Sequence, residues 1–165
     1  MRFPSFGEFV ESMSNSVSFV YSGAVLAESE RDRLWNHVVA QGKIDPVWQK
    51  WQRKCHHMTT NLGYIDSGPA AHLDGQEVTL RIDAVAVDPK SLKVAAVRVV
   101  EGPPVGTGKT PHVTLSVGPG GAAKNSGDLT DWVEIEPIEV KAKVGSVEVQ
   151  KGRGEVLMPP GQKTS

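Results

Sequence analysis

Two short segments of the chain carry side chains suited to chemistry. One runs Cys55-His56-His57-Met58-Thr59-Thr60-Asn61-Leu62, the other Thr110-Pro111-His112-Val113-Thr114-Leu115-Ser116-Val117. Each holds His-x-Thr inside an extended, partly apolar run. Side chains two apart on a strand share a face, so His57 sits with Thr59 and His112 with Thr114. Cleaving a phosphodiester needs an activated nucleophile, a protonated leaving group and stabilised charge on the non-bridging oxygens. Two imidazoles titrating near neutrality can divide the first two tasks. Two hydroxyls can donate to the phosphate oxygens. His57 and His112 are therefore the candidate catalytic residues, and Thr59 and Thr114 the candidate phosphate-binding ones.

The remaining histidines and the lone cysteine do not read as catalytic. Strand alternation turns His56 away from His57, toward packing or a supporting place behind the site. His37 falls in a helix and His72 beside a loop, and both read as surface residues. Cys55 shares the parity of His57 but reads as a small buried hydrophobe. No metal site is expected, because there is no His-Glu-x-x-His and one cysteine cannot build a zinc cluster. No cofactor is implied. Tyr64, Trp48 and Trp51 are candidates to stack on a base, while Lys109, Lys124 and Arg81 are candidate phosphate partners.

Gly102-Pro103-Pro104-Val105-Gly106-Thr107-Gly108-Lys109-Thr110 imitates a nucleotide-binding P-loop, and fails on two counts. The pattern needs glycine at position 103, which is Pro103. A P-loop also needs a helix starting at the Lys-Thr, whereas Pro111 and a β-branched run follow. The segment reads instead as a loop that delivers His112.

The elements that must position these residues follow from periodicity. Ser18 to Leu26 reads as a first strand and Glu28 to Ala40 as the best helix, ended by Gly42. Asp45-Pro46 looks like an N-cap and first helical position. Glu77 to Val87 alternates most clearly, Asp88-Pro89 turns it, and Val94 to Val100 returns as a hairpin partner. A short helix is expected near Lys124 to Leu129. Ile138 to Val149 alternates with a phase shift at Gly145-Ser146, as a bulge or tight turn would give. Phe3, Phe6 and Phe9 suggest a short helix or packed arm. Residues 151–165 read as a disordered tail.

With 165 residues, 17 glycines and 11 prolines, the chain suits one strand-rich domain over residues 1–150. A net charge of −1 gives no global footprint for long duplex nucleic acid. The single cysteine fits a reducing cytoplasm, and no apolar run has the length of a membrane span.

His57-Met58-Thr59 and His112-Val113-Thr114-Leu115 resemble the tandem His-x-Thr motifs of the two-histidine (2H) phosphoesterase superfamily. Only these two motifs are specific, although the order of elements from residue 18 to about 149 is similar. The resemblance implies a bilobal, pseudo-symmetric α+β fold of antiparallel sheets with few helices. It also implies acid and base roles for His57 and His112, with Thr59 and Thr114 on the phosphate. The implied activity is metal-independent hydrolysis of an RNA 2',3'-cyclic phosphate end or of a cyclic or 2',5'-linked nucleotide, including cyclic oligonucleotide signals. A non-catalytic nucleotide-binding module on the same fold is the alternative.

Overall fold

The computed structural model describes residues 17–161. The expected Phe3, Phe6 and Phe9 arm lies outside them. The described chain is mostly antiparallel sheet with few helices, an α+β fold. Its elements are β1 (Val17–Leu26), α1 (Glu28–Gln41), β2 (Gln52–Arg53), β3 (His57–Leu62), β4 (Glu77–Asp88), β5 (Val94–Glu101), β6 (His112–Val117), β7 (Val133–Gln150) and β8 (Gly154–Leu157). Short 3₁₀ turns fill the links at Pro46–Lys50, Ile65–Ser67, Ala71–Leu73 and Ala123–Asp128.

Local chemistry explains the helical pieces. Glu28 and Glu30 place negative charge in the first turn of α1, where the helix dipole favours it. Leu34 and Val38, one turn apart, are buried as the helix packs on β7, and Gly42 ends it at φ +58°. The Asp45 carboxylate accepts from the Val47 N–H at 2.9 Å and starts the Pro46 turn as its sequence suggests.

The strands form one sheet in the order β2-β6-β5-β4-β7-β1-β3, with β8 added beside β7. Its end strands, β2 and β3, are consecutive in the chain. Lys54 and Cys55 extend the pairing along β6 by donating to the Leu115 and Thr114 carbonyls, and Leu26 N–H bonds to the His56 carbonyl beside β1. The sheet therefore curls until β3 and β6 stand next to each other. The glycine-rich loop between β5 and β6 fastens the same junction, since Gly106 N–H donates to the Thr60 carbonyl at 2.7 Å.

Two expectations fail in β7 and beyond it. The ladder between β1 and β7 passes through Ser22↔Ser146 and Gly23↔Gly145 without a break, so Gly145-Ser146 is not a bulge there. The alternation is lost because residues 144–148 are buried on both faces. β1 does shift register at this level against its other neighbour, β3, between Ser22 and Gly23. Residues 154–157 are also not a loose tail, for β8 pairs with β7 from Gln150↔Gly154 to Val147↔Leu157. The domain consequently runs past residue 150.

Gly23 pairs with Thr59 of the first motif. A Cβ there would lie 2.4 Å from the Met58 carbonyl oxygen, a backbone atom with little freedom to move. Gly23→Ala is therefore expected to destabilise the protein by about 1–3 kcal/mol, as overpacking does. Urea unfolding of the variant checks this, and an unchanged midpoint would contradict the close approach.

Candidate functional site

Strands β3 and β6 bring the two motifs to one cleft of about 990 Å³, lined by His57, Thr59, His112 and Thr114 together. Period-2 alternation does the local work: Met58, Val113 and Leu115 point into the core, and the His and Thr side chains point out of it. Thr60, also directed inward, is fully buried and donates its hydroxyl to Asn61 Oδ1 at 3.2 Å.

His112 has a defined tautomer. Its Nδ1 lies 2.7 Å from the Thr110 carbonyl oxygen, which can only accept, so the neutral ring carries its proton there and a lone pair on Nε2. Burial holds its pKa below the ordinary histidine value, against the opposing pull of that hydrogen bond. The Thr114 hydroxyl is 2.8 Å from Ser126 Oγ, which anchors the Ala123–Asp128 turn to β6.

His57 sits in a denser network. Nε2 is 3.1 Å from Thr59 Oγ1, while Nδ1 is 3.0 Å from Tyr21 Oη and 3.0 Å from His56 Nδ1. The Tyr21 ring stacks on the imidazole with centroids 4.3 Å apart. Glu155, from β8, accepts the Tyr21 hydroxyl at 3.0 Å and reaches His56 Nδ1 at 3.2 Å. Burial, then the neighbouring imidazoles and Lys54, push His57 down to about 3. Burial likewise lowers His56, although Glu155 opposes it. Burial foremost, then the Glu155 charge, raises the Tyr21 phenol, which stays protonated as a donor.

Three histidines held neutral by burial make the fold sensitive to acid. Unfolded histidine protonates near pH 6.5, while these protonate lower when folded, so between the two values the unfolded state binds more protons. Stability should therefore fall as pH drops below 6.5, by about 1.4 kcal/mol per pH unit for each histidine involved. Urea unfolding at pH 7.5 and 5.5 reads this directly. Equal stability at both would mean the rings are not shielded.

Tyr21, His56 and Glu155 escaped the sequence reading. His56 was expected to face away from His57, but β3 begins only at His57, after the left-handed Cys55 (φ +50°), and both imidazoles line the cleft. Cys55 itself is buried, as anticipated. Of the candidate substrate-binding residues, Lys109 lines the cleft with Nζ paired to Asp128 Oδ1 at 2.8 Å. Trp48 is 1% exposed and packs on Trp35, so it offers no face to a base. Tyr64 donates to Glu148 Oε2 at 2.9 Å and, like Trp51 and Arg81, lies outside the cleft lining.

The cleft carries local character that the net charge conceals. Lys54, Lys109 and Lys124 line it beside three histidines, and Glu155 is the one carboxylate among the lining residues. Phe19 and Leu62, 49% and 70% exposed, give one part of its wall an open apolar surface. Among the described residues no helix is long and apolar enough to cross a membrane. No family model and no curated protein matches this chain, so what the cleft does must be argued from its own side chains.

Proposed function

We propose that the protein is a phosphodiesterase of the 2H type, hydrolysing a cyclic phosphodiester by acid–base catalysis between His57 and His112, without need of a metal. The observation that carries this reading is the convergence of both His-Thr pairs on one basic-lined cleft. The fold would then be the bilobal 2H arrangement, with β3 and β6 as corresponding strands. A cyclic nucleotide or RNA 2',3'-cyclic end enters with its phosphate between the two threonines. Neutral His112 presents Nε2 as the base for the attacking water. His57, with Glu155 behind Nδ1, is the acid for the leaving oxygen, and the approaching phosphate anion favours its protonation. Water attacks phosphorus, one ring P–O bond breaks, and a phosphomonoester end remains. The next turnover reverses the two histidine protonation states through solvent.

Incubation with 2',3'-cyclic mononucleotides and cyclic dinucleotides or trinucleotides in EDTA tests the proposal. Turnover is expected, and its loss in His57→Ala and His112→Ala assigns it to this cleft. Tight binding with no turnover would instead make the protein a nucleotide-binding module.

A further inference from the structure

Behind the face of His57 that carries Nε2, four polar side chains form a closed ring of contacts. Tyr21 Oη to His57 Nδ1 is 3.0 Å, His57 Nδ1 to His56 Nδ1 3.0 Å, His56 Nδ1 to Glu155 Oε2 3.2 Å, and Glu155 Oε1 to Tyr21 Oη 3.0 Å. As hydrogen bonds these four contacts need four protons. The phenol supplies one, each Nδ1 at most one, and an ionised carboxylate none. If both nitrogens are protonated, the contact between them sets N–H against N–H. If only one is, two protons serve four contacts. No arrangement of protons satisfies the ring.

A cation held by the two Nδ1 atoms and the carboxylate would replace the His57–His56 and His56–Glu155 contacts and leave the phenol proton for Glu155. We propose that His56 Nδ1, His57 Nδ1 and the Glu155 carboxylate form a site for a borderline transition-metal ion, Zn²⁺ being the natural occupant. Two imidazoles and one carboxylate are a recognised zinc donor set, with a fourth position left for water. Bonds of about 2.0–2.1 Å in tetrahedral array separate the ligand atoms by roughly 3.3 Å. The observed separations are 3.0 and 3.2 Å, with 4.0 Å from His57 Nδ1 to Glu155 Oε1. All three ligand atoms lie within 4.8 Å of one another, on residues that line the open cleft. Tyr21, donating to Glu155, orients the carboxylate from outside the ligand set. No sequence spacing announces such a site, because two ligands are adjacent and the third comes from β8.

The ion would occupy Nδ1 of His57, leaving Nε2 beside Thr59. A neutral imidazole bound through Nδ1 keeps its proton on Nε2 and cannot cycle between donor and acceptor. On the catalytic reading above, on which this consequence alone rests, zinc is an inhibitor and EDTA an activator of the protein as purified.

Zinc affinity of the full chain is measured by competition with a chromophoric chelator, with Co²⁺ spectra reporting four-coordination. One ion per chain is expected. His56→Gln and Glu155→Gln should each weaken binding at least about tenfold, the smallest loss typical even for groups outside the ligand set. His37→Gln, on α1 and away from the cleft, should not weaken it, and His112→Ala should keep the ion while losing turnover. Thermal unfolding of each variant confirms that it is folded. Absence of stoichiometric binding, or binding indifferent to His56→Gln and Glu155→Gln, overturns the site. Zinc binding without phosphodiesterase activity leaves the site standing and removes the catalytic reading; EDTA-resistant turnover without zinc binding does the reverse.

Discussion

His112→Ala is expected to lower kcat for a cyclic phosphodiester by roughly 10²–10⁴-fold, the usual contribution of a positioned acid or base. The loss should fall on kcat more than on KM, because in the proposed mechanism the imidazole moves a proton in the transition state while Thr59, Thr114 and the lysines hold the ground-state phosphate. The fold should barely notice. His112 is partly exposed on the cleft wall, and its Nδ1 bonds to the Thr110 carbonyl, which water can serve as well. His57→Ala should cost a similar factor, and the double variant little more than either alone, since two groups that move protons within one step act as a unit. Single-turnover assays in EDTA, beside urea unfolding of each variant, separate chemistry from stability. A loss under tenfold in folded His112→Ala would remove the imidazole from the reaction.

The part of the site legible in the sequence is the part that obeys a single local rule. His57, Thr59, His112 and Thr114 were placed by the two-residue strand period, and that period holds in β3 and β6. His56 was misplaced because the same rule was carried one residue too far. The left-handed backbone at Cys55 is non-glycine, and nothing in its residue type announces it. Glu155 was invisible for another reason. Lys151-Gly152-Arg153-Gly154 has the composition of a loose end, but Gly152 and Gly154 at φ +81° and +74° form a tight hairpin that returns the chain along β7. The long strands were readable from alternation until β7 acquired cover on both faces, where alternation carries no information. Long-range pairing, such as Gly106 on Thr60, leaves no local periodic trace.

Replacement of Trp48 should have the largest effect on stability. The sequence offers this residue as a candidate to stack on a base, although most tryptophans are core. In the fold it is 1% exposed, its ring centroid 4.5 Å from that of Trp35 at 59°, within the same core cluster as Leu34, Val38 and Leu115. Trp48→Ala is therefore expected to cost about 3–5 kcal/mol, from lost transfer energy and the cavity left behind. Against a total stability of about 5–15 kcal/mol this leaves a marginal protein. Trp48→Phe, which keeps part of the ring volume, should cost less and hold enough folded protein to assay. A base-stacking residue would give the opposite result, a stable variant with a raised KM, so a urea midpoint and a KM measured on Trp48→Phe decide between the two roles. The core assignment requires a lowered midpoint with KM unchanged, because no atom of this ring lines the cleft where His57 and His112 meet.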